Sequence, residues 1–196
     1  MKSRKGIVTR ETSETSVRVV LSVDGVGEAD MNTGIRMFDH LLTQVSRHGL
    51  FDLSISASGD NQHHVVEDVA ICMGRALTEA LGDKAGIVRM ADAVVPMDEA
   101  LSCVAVDLSG RGAAYVSAPF STPVIGDLES DMVRHFLVTF ASEAKLTLHA
   151  RVECGQNDHH KAESLFKALA RALDNCCRRD ERRGSAVPSS KGVIER

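Results

Sequence analysis

The spacing of apolar residues along the chain predicts strands and helices in a regular order. Residues Ser16 to Val23, "SVRVVLSV", alternate apolar and polar side chains, as expected for a strand with one buried face. A turn at "DGVG", a helix from Met37 to His48 that ends at Gly49, and a strand in "LFDLSISAS" follow. From His64 to Leu81 an apolar residue recurs at every fourth position, and a glycine follows, which predicts an amphipathic helix with a glycine stop. Its apolar positions are Val65, Val69, Met73, Leu77 and Leu81.

The second half of the chain repeats this order. Strands are predicted in "LSCVAVDLSG", "GAAYVSA" and "KLTLHARVE", and helices in "DMVRHFLVTFASEA" and "AESLFKALARALDNCC". A strand, the motif Gly-x-Asn-x-His-His-x-x-Glu and a helix therefore occur twice, and each half has a further histidine on its preceding helix, His40 or His135. An internal duplication is the simplest explanation of so many shared spacings. The matching positions are Gly59, Asn61, His63, His64 and Glu67 in one half and Gly155, Asn157, His159, His160 and Glu163 in the other.

Length and composition indicate one globular unit. With 196 residues, 43% of them hydrophobic and 26% charged, the chain can bury a core, so we expect a single domain over residues 1–196 with pseudo-repeats at about 1–90 and 91–184. The net charge of −4 and a pI near 6.1 argue against nucleic acid or an anionic membrane as the main partner. No apolar run follows the charged N-terminal residues, so a cytoplasmic protein is expected. The five scattered cysteines suit reduced thiols better than disulfides or a zinc finger.

The doubled histidines are candidate metal ligands. On a helix, residues four apart share a face, whereas adjacent residues point about 100° apart, so His63 and Glu67 can bind one ion while His64 faces elsewhere. The same holds for the second motif. We therefore hypothesise two metal sites, each with ligands from both halves, within one chain or across subunits. One site would contain His63, Glu67, His135 and His160, and the other His159, Glu163, His40 and His64.

The donor types narrow the choice of metal. Imidazole and carboxylate without thiolate fit Mn, Fe, Co, Ni or Zn, and open positions favour a six-coordinate ion such as Mn²⁺ over a closed structural zinc. A single His-His pair at a helix start is more often a cap or a surface feature. Here six of the eight histidines fall at duplicated spacings, and each pair has its own carboxylate, which favours metal binding.

At these motifs the sequence resembles the imidazoleglycerol-phosphate dehydratase family of histidine biosynthesis. The matching stretches are "TSETSVRVVLSVDG", "TGIRMFDHLLTQVSRHGLFDL", "HHVVEDVAICMGRAL", "VPMDEALSCVAVDLSGR", "LTLHARVECGQNDHHKAESLFKALARAL" and "PSSKGV". The resemblance implies an internally duplicated α+β fold, with a four-helix layer between two four-stranded sheets, like the second domain of ribosomal protein S5. It also implies a homo-oligomer of 24 subunits, two Mn²⁺ ions per active site, and sites completed by neighbouring chains. The family's metal ligands fall on the eight residues of the two hypothesised sites.

The resemblance also implies roles for residues outside the two metal sites. Glu14 matches an acidic residue that moves protons beside the substrate, so the catalytic set is expected to be Glu14 with the two His-His-x-x-Glu motifs. Residues 185–196 match a substrate-binding tail. Without the resemblance, these residues have simpler interpretations. Glu14 would be a surface residue at the end of a strand, and Arg89 and Arg111 would form surface ion pairs. The stretch "PSSKG" would be a disordered tail, and His48 would cap its helix. The residues expected to contact substrate are Glu14, His48, Arg89, Arg111, Lys161, Ser189, Ser190 and Lys191.

The implied reaction is that of a hydro-lyase. It converts D-erythro-imidazoleglycerol phosphate, a small-molecule phosphate, into imidazole-acetol phosphate through an imidazolate that two metal ions stabilise, with no organic cofactor. Two alternatives remain open at this point. A di-metal phosphohydrolase would use similar ligands, although usually with Asp-rich motifs that this chain lacks. A non-catalytic module could use the ions only to hold subunits together.

Overall fold

A computed structural model describes residues 4–194, so residues 1–3 and 195–196 of the predicted domain and tail lie outside the described part. The first half contains β1 (Lys5–Glu11), β2 (Thr15–Ser22), β3 (Ala29–Asn32), α1 (Arg36–Gly49), β4 (Asp52–Gly59) and α2 (Gln62–Leu81). The second half contains β5 (Met90–Met97), β6 (Ala100–Asp107), β7 (Ala113–Ser117), β8 (Val124–Ile125), β9 (Leu128–Glu129), α3 (Asp131–Glu143), β10 (Thr147–Cys154) and α4 (Asp158–Cys177).

The two halves have the same strand order and the same strand directions. One sheet runs β1-β2-β4-β3 and the other β5-β6-β10-β7, and in each the last pair is parallel while the others are antiparallel. Helix α2 packs on β1 and β2, and α4 packs on β5 and β6, while α1 contacts α4 and α2 contacts α3. The helices therefore lie between the sheets, and the predicted α+β architecture is confirmed.

The helices meet around a small group of phenylalanines. Phe136 of α3 is completely buried, and its ring lies 5.4 Å from Phe38 of α1 and 5.4 Å from Phe166 of α4. Because these helices come from both halves, this contact joins the halves through one shared core. None of the helices described in residues 4–194 combines the length and apolar character that a membrane span requires.

Some elements differ from the sequence-based prediction. Strands β1, β3 and β5 and the β8–β9 hairpin were not predicted, because β3, β8 and β9 have only two to four residues and because β1 and β5 are edge strands with at most one fully buried side chain. Helix α4 begins at Asp158, earlier than predicted, because the Asn157 side chain accepts hydrogen bonds from the backbone N–H groups of His159 and His160. Both histidine pairs consequently lie in the first turn of a capped helix.

Gly74 sets how closely α2 approaches α3. A Cβ atom at Gly74 would lie 2.7 Å from the backbone nitrogen of Ala144 and 2.9 Å from the carbonyl oxygen of Phe140. We expect Gly74→Ala to lower the free energy of unfolding by about 1–3 kcal/mol, because overpacking outweighs the roughly 1 kcal/mol that alanine adds in helix propensity. Urea unfolding measures the change. A midpoint equal to that of the unsubstituted protein would contradict this close contact.

Candidate metal centres

Two clusters of imidazole and carboxylate groups lie among the described residues, and in each the donor atoms are within 4.8 Å of one another. In the first, Glu163 Oε2 lies 2.9 Å from His40 Nε2 and 3.1 Å from His159 Nε2. In the second, Glu67 Oε2 lies 3.7 Å from His63 Nε2 and 4.0 Å from His135 Nε2. Each cluster brings together three of the four ligands that the sequence predicted for one site.

Helix packing accounts for both clusters. On both α2 and α4, a histidine and the glutamate four positions later share one face. Helix α3 packs against α2 and adds His135, and helix α1 packs against α4 and adds His40. The rings of His63 and His135 lie 4.4 Å apart, and those of His40 and His159 lie 5.2 Å apart. The two clusters are thus built in equivalent ways, each from one helix of either half.

The second histidine of each pair faces away from the cluster beside it. The planes of His63 and His64 differ by 78°, and those of His159 and His160 differ by 88°. Neither His64 nor His160 belongs to a cluster formed within residues 4–194. Within residues 4–194, each cluster therefore contains three of its four hypothesised ligands and no histidine from the opposite pair.

Carboxylates orient these two outward-facing rings. His64 Nδ1 lies 2.8 Å from Asp60 Oδ1, and His160 Nδ1 lies 2.7 Å from Glu99 Oε2. A carboxylate on Nδ1 favours the tautomer that keeps the proton there, so that Nε2 carries the lone pair available to a metal. The backbone N–H of Asn157 and the His160 ring hold the pKa of Glu99 at about 2, so this group is a carboxylate.

The protonation states within the clusters suit a divalent cation. Burial, aided by nearby His63, lowers the pKa of His135, and its buried Nε2 has no hydrogen-bond partner among the described residues. Burial tends to raise the pKa of Glu163, but hydrogen bonds from Lys167 and His40 hold it at about 2. A neutral imidazole nitrogen left without a partner beside carboxylate oxygens is the donor set that a Mn²⁺-like ion accepts. The residues present therefore fit the metal that the family resemblance implies.

The two clusters differ in their surroundings. The Glu163 side chain is only 9% exposed, and its Oε1 atom pairs with Lys167 Nζ at 2.6 Å, which leaves Oε2 facing the histidines. The Glu67 side chain is 41% exposed, and Ile71 occupies the position that corresponds to Lys167. One cluster glutamate is therefore paired with a lysine four residues later on its helix, whereas the other has an isoleucine at that position.

Glu14 lies beside one of the outward-facing histidines. It occupies the turn between β1 and β2, its side chain is 55% exposed, and its Oε2 atom lies 3.7 Å from His64 Nδ1. In the second half Glu99 takes the corresponding place, directly before β6, and contacts His160. Glu99 was not predicted from the sequence, although alignment of the strands that precede the two motifs pairs it with Glu14.

Arg89 connects the second sheet to the C-terminal tail. Its guanidinium binds both carboxylate oxygens of Asp107, at 2.7 and 3.1 Å, and donates to the carbonyl of Pro188 at 2.7 Å. Pro188 is buried, and directly after it Ser190 and Lys191 form the exposed centre of a turn that the Gly192 N–H closes onto the carbonyl of Ser189. The structure thus places Arg89 next to the predicted phosphate-binding tail.

Three other predicted substrate residues are not members of the two clusters. Arg111 is exposed after β6, and its backbone N–H donates to the hydroxyl of Ser109. His48 is half-buried near the end of α1, where burial, together with nearby Lys167, lowers its pKa. The Lys161 ammonium is buried and donates to Asp158 at 2.9 Å and to the Pro119 carbonyl at 3.3 Å, which favours a structural role for this side chain.

The fold and the clusters together define an internally duplicated α+β protein with paired imidazole and carboxylate sites. A family model described as imidazoleglycerol-phosphate dehydratase matches residues 33–173. The chain belongs to the imidazoleglycerol-phosphate dehydratase family, a family of hydro-lyases in histidine biosynthesis. The predicted family and enzyme class are confirmed.

Relatives match along the whole chain. An imidazoleglycerol-phosphate dehydratase from Dehalococcoides mccartyi is 56% identical over 195 residues and covers 100% of both chains, and one from Roseiflexus sp. is 52% identical and covers 98% of both. Two crystal structures of such dehydratases are similar in fold. The Staphylococcus aureus structure has a TM-score of 0.80 at 32% identity, with coverage of 90% of this chain and 99% of its own. The Pyrococcus furiosus structure has a TM-score of 0.83 at 30% identity, with coverage of 95% and 100%.

Proposed function

We propose that this protein removes water from imidazoleglycerol phosphate to form imidazole-acetol phosphate, and that it uses two Mn²⁺ ions per active site. The observation that carries the proposal is the pair of clusters: each has two histidines and one glutamate drawn from both halves of the chain, and one of them has a buried, unpaired imidazole nitrogen among the described residues. A substrate whose own ring is an imidazole has two nitrogens, and two clusters can act on both. Family membership supports the same reaction.

The ligands of each ion would come from two chains. His40, His159 and Glu163 would hold one ion and His63, Glu67 and His135 the other, with His64 and His160 supplied to these sites by neighbouring subunits. The support is that both outward-facing rings are fixed through Nδ1, so that Nε2 can bind a metal on a second chain. A closed assembly of 24 subunits is the form that the family resemblance implies, and a cytoplasmic location stays a prediction.

Within the reaction, the ions supply Lewis acidity to the two ring nitrogens of the substrate when they are bound. The hydroxyl on the carbon next to the ring leaves, a proton leaves the neighbouring carbon, and the resulting enol ketonises, so that the net loss is one water. Glu14 is the proposed carrier of these protons, because its exposed carboxyl group adjoins His64, the residue that follows the cluster histidine His63. Because no carbonyl acidifies this C–H bond, a base alone would be too weak, so the proton leaves only after the hydroxyl has left.

Cationic groups around the tail would bind the substrate phosphate. Arg89 anchors the tail at Pro188, which places the exposed Lys191 ammonium and the serine hydroxyls in one turn. Since Arg89 is itself paired with Asp107, the contacts support an orienting role for it more than a direct phosphate contact. Arg111, exposed and without a carboxylate partner among the described contacts of its guanidinium, is the better direct candidate.

The deciding experiment measures turnover and metal dependence together. Protein stripped with a chelator should form no imidazole-acetol phosphate from imidazoleglycerol phosphate, and added Mn²⁺ should restore turnover. Light scattering on the same samples should report a large particle. Release of inorganic phosphate would instead identify a phosphohydrolase, and metal-dependent association without turnover would identify an assembly module. Full turnover in metal-free protein would refute the metal-dependent reaction.

A further inference from the structure

One connection in the second half has no counterpart in the first. The link from β3 to α1 covers residues 33–35, whereas the link from β7 to α3 covers residues 118–130 and includes the β8–β9 hairpin. We call residues 118–130 the bracing segment. Its side chains Ile125 and Leu128 are buried, at 4% and 1% exposure, so the hairpin is anchored in the core. The bracing segment is therefore part of the packed structure and not a loose surface loop.

The bracing segment caps α1, the helix that carries His40. The residue before α1, Ile35, offers no side-chain cap. Asp127, from the tip of the hairpin, takes this place, because its carboxylate accepts the backbone N–H groups of Arg36 at 3.0 Å and Met37 at 2.8 Å. An acidic group here satisfies unpaired N–H donors and interacts favourably with the helix dipole. The start of α1 is thus held by a residue from the other half of the chain.

The same hairpin holds the start of α2, the helix that carries His63 and Glu67. The Gln62 side chain donates to the carbonyl of Asp127 at 2.8 Å and accepts the backbone N–H of Glu129 at 2.7 Å. Gln62 is the first residue of α2 and directly precedes His63. A two-point contact of this kind fixes both the position and the direction of the helix terminus relative to the hairpin.

The bracing segment is also connected to the first residues of α3 and α4. The bracing segment continues directly into α3, which carries His135, and the Ser130 N–H donates to the carbonyl of Pro123. Asp158, the first residue of α4, accepts the backbone N–H of Ser121 at 2.7 Å and that of Thr122 at 2.8 Å. All four helix N-termini therefore meet one segment. The six clustered ligands lie within the first two turns of these helices.

We propose that the bracing segment positions the helices so that the ligands of each metal cluster meet, and that Asp127 and Gln62 are its positioning residues. Asp127 fixes His40 against His159 and Glu163, and Gln62 fixes His63 and Glu67 against His135. This inference rests on the proposed metal sites only for its functional consequence. The structural part, that one hairpin holds the first residues of α1 and α2, rests on the hydrogen bonds alone.

The test compares Asp127→Ala, Asp127→Asn and Gln62→Ala in two measurements on the full-length protein. The first is Mn²⁺ titration of chelator-stripped protein, where loss of an orienting contact should weaken the affected site by about 10–100-fold. Asp127→Ala should lower the Mn²⁺ affinity of the site with His40, and Gln62→Ala should lower that of the site with His63. Asp127→Asn should retain part of the affinity, because its amide oxygen still accepts a hydrogen bond. Glu129→Gln is the matched control, since it removes one charge from the same hairpin, whose contact to Gln62 uses only the backbone of Glu129.

The second measurement is amide hydrogen exchange on metal-free protein. Asp127→Ala should speed exchange in the second turn of α1, beyond the two N–H groups that lose their acceptor, and should leave the end of α2 unchanged. Unchanged exchange together with unchanged Mn²⁺ affinity in Asp127→Ala and Gln62→Ala would overturn the proposal. If the unsubstituted protein binds no Mn²⁺, the proposed function fails, and exchange in α1 and α2 alone decides whether the bracing segment holds them.

Discussion

Glu14→Gln should remove turnover and leave the Mn²⁺ content unchanged. Glutamine keeps the size of the side chain and its hydrogen-bonding capacity but cannot accept or deliver the proton, and such a loss typically lowers kcat by about 10²–10⁴-fold. The carboxylate is not a member of either cluster, so the metal ligands stay intact. Steady-state kinetics with imidazoleglycerol phosphate, beside metal analysis of the same sample, measures both quantities.

A control in the same hairpin separates proton transfer from a general charge effect. Glu11, at the end of β1, is exposed, and its side chain accepts a hydrogen bond from Ser16 at 2.8 Å. Glu11→Gln should leave kcat within about twofold, since surface substitutions away from a site have small effects. Retained turnover in Glu14→Gln would refute the role of this group. Loss of metal in Glu14→Gln would show instead that Glu14 acts by orienting His64.

Asp158→Ala should cause the largest loss of stability. The side chains of Asp158 and Lys161 are only 6% and 8% exposed and pair at 2.9 Å, and the same carboxylate accepts two backbone N–H groups of the bracing segment. Removal of one partner leaves the Lys161 ammonium buried without its counter-ion, which costs about 3–5 kcal/mol. Denaturant unfolding of metal-free protein measures the loss without a contribution from bound ions.

The paired replacement tests the cause of that loss. In Asp158→Ala/Lys161→Met no charge stays buried, so part of the stability should return relative to Asp158→Ala alone. A loss below about 1 kcal/mol in the single variant would mean that water reaches the ammonium, because exposed pairs contribute only this much. Equal losses in the single and paired variants would assign the effect to the backbone contacts of Asp158.

Local spacing carried enough information to predict the clusters. A histidine and a glutamate four apart on a helix share a face in any context, and the repeated order of elements predicted that His40 and His135 would complete the two groups. The family resemblance supplied the layered arrangement that brings these helices together. Three ligands of each predicted site accordingly meet in the structure.

The sequence could not supply contacts that depend on distant parts of the chain. Asp127 lies 91 residues from Arg36 along the chain, and nothing near either residue indicates that one caps the other. The hairpin that carries Asp127 has two-residue strands, too short for any periodic signal. Lys161 follows the histidine pair directly, but only tertiary packing makes its ammonium a buried partner of Asp158.

The two cluster glutamates differ in the residue four positions later on the helix, which is Lys167 after Glu163 and Ile71 after Glu67. Where Lys167 is present, it pairs with Oε1 of the buried Glu163 carboxylate while Oε2 contacts the two histidines, so both oxygens have partners. Where Ile71 is present, the Glu67 side chain is 41% exposed and has no lysine at that position to hold it. A single divergent helix position after duplication thus leaves one carboxylate held by a cation on its own helix and the other more exposed in the same protein.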